Sequence, residues 1–479
     1  MPWHNGLVAA FNPRALAIVG VSGAGGGSSM RITGSLVLRA LLHAGFKGRI
    51  YPVNPKVTEV MGMKAYRSVR DIPEPLDLVI VAVPAAAVPA VLEDCIAAGA
   101  LNVHVLTSGF SETGEEEGRA LERRVLGLAV AGGLRLVGPN CVGLLVPRSG
   151  LTTMDDLPMR DGPVSFVSQS GGHARGIMSV SLTYNFGISK VISFGNGLVI
   201  DGADYLQYLM DDPDTKVICM YLEGAKDGRK LARIAAEANR RKPVIIWKGG
   251  VTDSGARAAA SHTGSLAGNQ RVWDAFFAQT GVVKVGSIEE MGEAAMSFLR
   301  LKPIGQGRAA LLGAGGGNSV AAGDICALEG LALPALSRET QSKMATVTSL
   351  VNQGVSNPLD VPWVQLDPEV FRKTLDVIAA DPSIDVILLN QHMHLLSGLK
   401  PDDRAKMIEY TCEFARNNEH GKQLAVTFSG LEVFPGKDSM QAQFTGALFK
   451  TGVPVYGSLR GAARALRRFA ERAQFLAKG

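Results

Sequence analysis

Cysteine is scarce in this chain of 479 residues: the five present, Cys95, Cys141, Cys219, Cys326 and Cys412, are scattered and never form a CxxC pair. Neither a disulfide framework nor a zinc site is suggested by that spacing, no other metal ligand set stands out, and a reducing cytoplasm is the compartment that fits. A long apolar run is missing too. The most apolar stretch, Leu76 to Leu92, is broken by Asp77, Pro84 and Pro89, so no membrane span is expected. No basic segment leads into an apolar one at the N-terminus, which argues against a signal peptide. The formal net charge is only +5, a weak pointer to anionic ligands and no case for a nucleic-acid partner.

What the chain does have is length and alternation. With 46% apolar and 19% charged residues it reads as a folded protein of roughly three domains. Short, nearly continuous apolar runs alternate with alanine- and leucine-rich segments of helical length, as parallel strands covered on both faces require. Strands are predicted at Leu16 to Val19, Arg49 to Val53, Leu78 to Val83, Asn102 to Leu106 and Arg135 to Val137, forming a Rossmann-like block to about residue 145. After a loop-like stretch from Pro147 to Pro163, a second block places strands at Val164 to Val167, Val191 to Phe194, Val217 to Leu222 and Val244 to Trp247. A third, from residue 301, places them at Ala309 to Leu312, Val386 to Leu389 and Gln423 to Thr427. The tail from Leu459 reads as an amphipathic helix whose apolar stripe docks on the third block and whose arginines face water.

Each block opens with a strand followed by a turn of small residues. The first such turn, Gly20-Val21-Ser22 through Gly27, precedes a predicted helix at Leu36 to Leu42, an arrangement that brings backbone amides and a helix N-terminus to a phosphate. The second strand of that block ends Asn54-Pro55-Lys56 where an NAD-binding domain would carry an acid. Lys56 is therefore suited to a ribose phosphate, the 2′-phosphate of NADP or the 3′-phosphate of coenzyme A; a plain surface lysine is the alternative. In the second block, Ser168-Gln169-Ser170-Gly171-Gly172 sits between a strand and a predicted helix from Ala174 to Leu182, two hydroxyls and free amide donors in one anion-binding turn. The third turn, Gly313 to Ser319, contains Asn318, and the loop Asn357-Pro358-Leu359-Asp360 follows it; either could face a carboxylate or serve only as a turn.

His262 stands alone among small residues in Ser261-His262-Thr263-Gly264-Ser265-Leu266-Ala267, shortly beyond the carboxyl end of the strand closing at Trp247. Glu223, at another strand end in Tyr221-Leu222-Glu223-Gly224, is placed to accept its Nδ1 proton and leave Nε2 as the nucleophile. An exposed loop histidine, and a surface glutamate paired with Lys226 or Arg229, are the plainer alternatives. Cys141, in Gly138-Pro139-Asn140-Cys141, has no histidine in its motif and reads as part of a substrate-contact loop rather than a catalytic thiol.

Taken together, the His262 and Glu223 segments, Gly138 to Cys141, Tyr51 to Lys56 and Gly109-Phe110-Ser111-Glu112-Thr113-Gly114 make the chain resemble the α-subunit of NDP-forming acyl-CoA synthetases, in the succinyl-CoA synthetase superfamily. The resemblance runs over nearly the whole length. It implies an α/β fold with a CoA-binding Rossmann-like domain over 1–145, then two flavodoxin-like doubly wound domains over 146–300, bearing a phosphohistidine, and 301–479. It implies His262 as the phosphorylated residue, Glu223 as its orienting partner, and Ser168, Gln169, Ser170, Gly171 and Gly172 as the phosphate cradle. Gly20, Ser22, Asn54, Pro55, Lys56, Val83, Pro84, Ser108 and Gly109 would contact CoA, and Asn140, Cys141 and Asn318 the acid. Two segments depart from the family pattern: the Gly23 to Met30 turn is longer and richer in glycine, and His173 replaces a small apolar residue.

No segment reads as an ATP-grasp domain, so ATP or GTP and Mg²⁺ are expected to arrive on an ATP-grasp β-subunit. The assembly would then be an α2β2-like hetero-oligomer, or a homodimer of this chain in isolation. Two other functions stay open from sequence: a CoA-binding regulatory protein without turnover, and an NADP-linked oxidoreductase resting on the first glycine turn and Lys56 alone.

Overall fold

A computed structural model describes residues 2–22, 33–155, 157–257, 269–313, 315–348, 354–430 and 439–478. The β-branched runs assemble into three sheets whose parallel strands follow one plan. In the first sheet the order is Arg49–Val53, Ala15–Val19, Leu78–Val81, Asn102–Val105, Arg135–Val137, all parallel. In the second, Val283–Val285, Val244–Lys248, Val217–Leu222, Asp161–Ser168 and Ile188–Ser193 lie parallel in that order. The third runs Leu359–Asp360, Ala309–Gly313, Val386–His392, Gln423–Ser429, Val455–Tyr456, again all parallel. Numbered along the chain, each parallel set reads 2-1-3-4-5 from one edge to the other. That doubly wound order opens a crevice at the carboxyl ends of its first and third strands. The α/β class and the Rossmann-like and flavodoxin-like character expected from sequence are what the protein has.

The chain divides into two compact units, Met1–Met291 and Gly292–Gly479. The first holds the first two of these sheets and, among the described residues, a small antiparallel pair, Glu59–Val60 with Met63–Lys64. The two large sheets share an apolar core in which Leu16, Ile18 and Ile80 of the first join Val167, Ile192 and Met220 of the second. The far face of the first sheet has its own core around Val79, Val81, Leu92 and Phe110. In the second unit, Leu312, Phe371, Leu389, Met407, Val426 and Phe444 form the corresponding core.

Several segments differ from the sequence expectation. The stretch from Pro147 to Pro163 is not all loop: it contains strand Leu151–Thr152, paired antiparallel with Gly143–Val146, and the start of Asp161–Ser168. Gly143–Val146 in turn pairs antiparallel with Ile188–Ser193, so the second sheet begins before residue 146. Strands Val283–Val285 and Val455–Tyr456 lack the length to show a pattern. The C-terminal helix Leu459–Ala477 does bury Ala462, Leu466 and Phe469, but its arginines are not all in water. Arg460 and Arg464 both reach Glu329, at 2.6 and 2.7 Å, and hold its carboxyl down to about 2. Burial lowers Arg472 to about 10 beside the Phe298 ring. Among the described residues no helix is long and apolar enough to cross a membrane.

Candidate functional site

At the carboxyl edge of the first sheet, backbone geometry demands glycine at position 20. Its φ is +101°, and a Cβ there would stand 2.3 Å from the Ala82 carbonyl oxygen. Residues 23–32 of the predicted glycine turn lie outside the described residues. Before them, the Ser22 amide donates to Ser35 Oγ at 2.9 Å; after them, Thr33 caps helix Gly34–His43. Asn54 ties the ends of the first two strands together: its Nδ2 donates to the Val21 carbonyl at 2.5 Å and its Oδ1 accepts from the Lys56 amide at 2.8 Å. Pro55 and Lys56 are exposed beyond it, with the lysine at the sheet edge. Val83 and Pro84 follow the third strand, Val83 half-buried and Pro84 exposed, and the Val83 carbonyl accepts from Thr107 Oγ1 at 2.7 Å. Ser108 is exposed, and the Gly109 amide is held by Glu112 Oε1 at 2.6 Å. The predicted CoA residues thus come together at one edge, Gly20 and Ser22 at the start of the turn included.

A bridge connects this edge to the second sheet. After the cis bond Gly138-Pro139, Asn140 takes a left-handed φ of +57°. Its amide donates to the Thr107 carbonyl at 2.8 Å and its Nδ2 to Asn196 Oδ1 at 3.3 Å. Asn196 Nδ2 in turn reaches Glu112 and Glu122 at 2.8 and 3.0 Å. Cys141 is buried, with its thiol toward the Val105 carbonyl, and burial pushes it up to about 12. A thiolate nucleophile is thereby disfavoured. The next residue, Val142, packs its side chain against Gly171 at the start of the second-sheet turn.

That turn is wired before any ligand arrives. Ser168 is fully buried; its hydroxyl donates to the Ser170 carbonyl at 2.7 Å and accepts from the Ser170 amide at 3.0 Å. Gln169 does not point its amide oxygen outward: Oε1 accepts from the Glu223 amide and from the Gly224 amide, the latter at 3.1 Å. Ser170 caps helix Gly171–Thr183. The donors at the mouth are the amides of Gly171 and Gly172, in the first helical turn, where no intrahelical acceptor exists and the helix dipole favours an anion.

Beside this helix start sits a group of ionisable and aromatic side chains that position and polarise it. Glu223 is only 5% exposed, which removes the surface-glutamate alternative, and Tyr221 Oη donates to its Oε1 at 3.3 Å. The buried Lys248 is pushed below the usual lysine range by desolvation, against the pull of Glu223. The His173 ring packs tilted at 4.4 Å from both the Tyr221 and Trp247 rings, and burial lowers its pKa against the opposing charges of Glu223 and Glu289. Lys248, Trp247, Asn196 and Glu122 were not singled out from sequence. Their residue types are ordinary, and only the parallel register of Val217–Leu222 with Val244–Lys248 puts two of them beside Glu223.

His262 lies outside the described residues, which stop at Arg257 and resume at Asn269, the cap of helix Gln270–Thr280. The strand before it, Val244–Lys248, ends at the same edge as Glu223. In the second unit, Asn318 is exposed near the start of helix Gly317–Leu328, and Asp360 Oδ1 accepts from the Gly316 amide at 2.8 Å. Asn357 is turned inward, its Nδ2 donating to the Ala309 and Pro334 carbonyls at 2.6 and 2.9 Å.

Two family models match this arrangement, the CoA binding domain over residues 14–147 and the succinyl-CoA ligase like flavodoxin domain over 161–298. The α subunit of acetate–CoA ligase [ADP-forming] II from Pyrococcus furiosus is 34% identical over 447 residues, 93% of either chain. The chain belongs to the α-subunit family of the NDP-forming acyl-CoA ligases. Another member of that ligase family, acetate–CoA ligase [ADP-forming] I of Archaeoglobus fulgidus, is 36% identical over 79% of this chain, which spans only 54% of its length. Among solved structures, the dinucleotide forming acetyl-coenzyme A synthetase 1 of Ca. Korarchaeum cryptofilum, in complex with phosphate and ADP, superposes with a TM-score of 0.83 at 31% identity. The match covers 98% of this chain and 97% of that one.

Proposed function

We propose that the chain is the CoA-binding, phosphohistidine-bearing subunit of an acid–CoA ligase that interconverts carboxylate, CoA and NTP with acyl-CoA, NDP and phosphate. The observation that carries this reading is the buried Glu223 beside a capped helix start, at the edge where strand Val244–Lys248, the strand before His262 in sequence, also ends.

In the direction of NTP synthesis, phosphate held by the Gly171 and Gly172 amides attacks the thioester carbonyl; the C–S bond breaks and CoA leaves as the thiol. Nε2 of His262 then attacks phosphorus in the acyl phosphate, the P–O bond to the acyl group breaks, and carboxylate departs. Glu223 holds the Nδ1 proton and so keeps Nε2 unprotonated. Fixed amide dipoles stabilise the charge on the phosphoryl oxygens without reorganising. The phosphoryl group finally passes from histidine to NDP on an ATP-grasp partner subunit, which also carries Mg²⁺, in a hetero-oligomer that works in the cytoplasm. CoA fits the first edge: Asn54 fixes the strand ends, Lys56 offers a cation for the 3′-phosphate, and Gly20 lets the backbone approach closely. Residues 1–145, 146–300 and 301–479 serve as the CoA-binding, phosphohistidine-bearing and third flavodoxin-like domains. Asn140 and Asn318 are proposed as acid contacts; the buried Cys141 shapes its loop.

The test is co-expression with an ATP-grasp subunit and measurement of ADP release dependent on both acid and CoA. Acyl-CoA formed in step with ADP supports the reading. CoA binding without turnover in a competent complex would leave a regulatory CoA-binding protein, and stabilisation by NADPH instead of CoA would point to an oxidoreductase.

A further inference from the structure

The carboxyl edge of the third sheet carries polar side chains that nothing in the described protein satisfies. Asn390 Oδ1, His392 Nε2, Thr427 Oγ1 and Ser429 Oγ are all buried atoms without a hydrogen-bond partner among the described residues. The strand register pairs Asn390 with Thr427 and His392 with Ser429, so alternation along each strand sets all four on the same face of the sheet. Asn390 and Thr427 are 6% and 0% exposed. On that face the first strand ends in Gly313, where a Cβ would stand 3.1 Å from the Asn390 side chain. Gly313 and Asn390 thus stand at the ends of the first and third strands of a 2-1-3-4-5 sheet, the place where such sheets receive ligands, and Thr427 and Ser429 stand beside them on the fourth.

The backbone behind this wall is fixed. Gln365 Oε1 accepts from the His392 amide at 3.0 Å and from Gln391 Nε2 at 2.9 Å, while its Nε2 donates to the Asn390 carbonyl at 3.3 Å. The strand end is therefore held from one side, where Gln391 Oε1 also lacks a partner among the described residues, while its other side presents four unmet donors and acceptors. Buried polar groups are nearly always paired, so four on one face call for a common partner.

The chemistry of the wall limits that partner. Two hydroxyls, an amide oxygen and an imidazole offer both donors and acceptors but no fixed charge. Residues 386–392, 423–430 and 354–361 contain no lysine or arginine, and the acid among them, Asp360, is engaged by the Gly316 amide. A carboxylate or ammonium buried here would lack a counter-charge. We propose that Asn390, His392, Thr427 and Ser429 form a binding site for an uncharged hydroxyl- or carbonyl-bearing group. Two ligands carry that chemistry: the far end of a hydroxylated acid, and the amide arm of pantetheine. The choice of these two ligands rests on the ligase reading; the unmet wall itself does not.

The experiment is ligand-observed NMR titration of the full chain with butyrate, 4-hydroxybutyrate and pantetheine, together with melting of the ligand-free Thr427→Val and Asn390→Leu variants. The wild type should bind 4-hydroxybutyrate or pantetheine at least about tenfold more tightly than it binds butyrate or than either variant binds the same probe. Which probe shows the loss assigns the source. Ligand-free Thr427→Val should melt higher than wild type, because an unpaired buried hydroxyl gives way to a methyl of the same shape. The proposal is overturned if neither probe is distinguished from butyrate in a way the variants abolish. It is equally overturned if Thr427→Val melts lower, which would mean that an ordered water already satisfies the hydroxyl.

Discussion

The second and third sheets share a strand order, yet their carboxyl edges are built in opposite ways. At the second, Ser168, Gln169 and Ser170 spend their side chains on neighbouring backbone, and charge is concentrated nearby in Glu223 and Lys248. At the third, Gln365 binds the backbone and leaves Asn390, His392, Thr427 and Ser429 unmet and uncharged. Topology determines where a ligand can sit; the side chains at the strand ends determine whether it is an anion taken by amides or a neutral group taken by hydroxyls.

The largest expected effect falls on the charged edge. Glu223→Gln should slow phosphoryl transfer through His262 by about 10²- to 10⁴-fold while CoA affinity stays within a factor of two or so, because an amide no longer fixes the imidazole tautomer. Rapid-quench labelling checks this, and an equal loss of CoA binding would assign Glu223 a structural role. Next comes the frame of the neutral edge. Gln365→Leu strips partners from the His392 amide and the Asn390 carbonyl in a buried place and should cost about 3 kcal/mol in urea unfolding of the second unit.

A third prediction separates the two units by pH. His104 is 2% exposed in the first sheet, and burial lowers its pKa to about 3. Its folded pKa lies below the unfolded value near 6.5, so the unfolded chain binds the extra proton as pH falls. Stability of the first unit should therefore be full above about pH 6.5 and fall by about 1.4 kcal/mol per pH unit on acidification toward pH 3. His104→Leu should flatten that slope in melts between pH 7 and 4.5; an unchanged slope would place the acid sensitivity elsewhere. The smallest effect is at the helix cap. Ser170 Oγ accepts from the His173 amide at a long 3.5 Å, so Ser170→Ala should cost only about 0.5–1 kcal/mol, read from the melting temperature.

Much of the charged edge was legible in the sequence. Ser170 before Gly171 announces a helix start, and Leu222-Glu223-Gly224 announces a strand end, because both signals are local. The function of Gln169 was not legible, since its contacts with Glu223 and Gly224 lie 54 and 55 residues away. The neutral edge was hidden for a related reason. Asn390 falls just beyond the run Val386 to Leu389 that reads as a strand and Thr427 at the end of Gln423 to Thr427, and only the register shows their unmet atoms on one face. Short strands such as Leu151–Thr152 hold their place through pairing rather than through any pattern of their own.

The most direct test of the account is transfer of labelled phosphate from acetyl, propionyl and butyryl [³²P]phosphate to the purified chain, for wild type and His262→Ala. The wild type should carry acid-labile, base-stable label and release free carboxylate in equal amount, and the variant should carry none. Label that persists in His262→Ala, or no label from any acyl phosphate while CoA still binds, would contradict it.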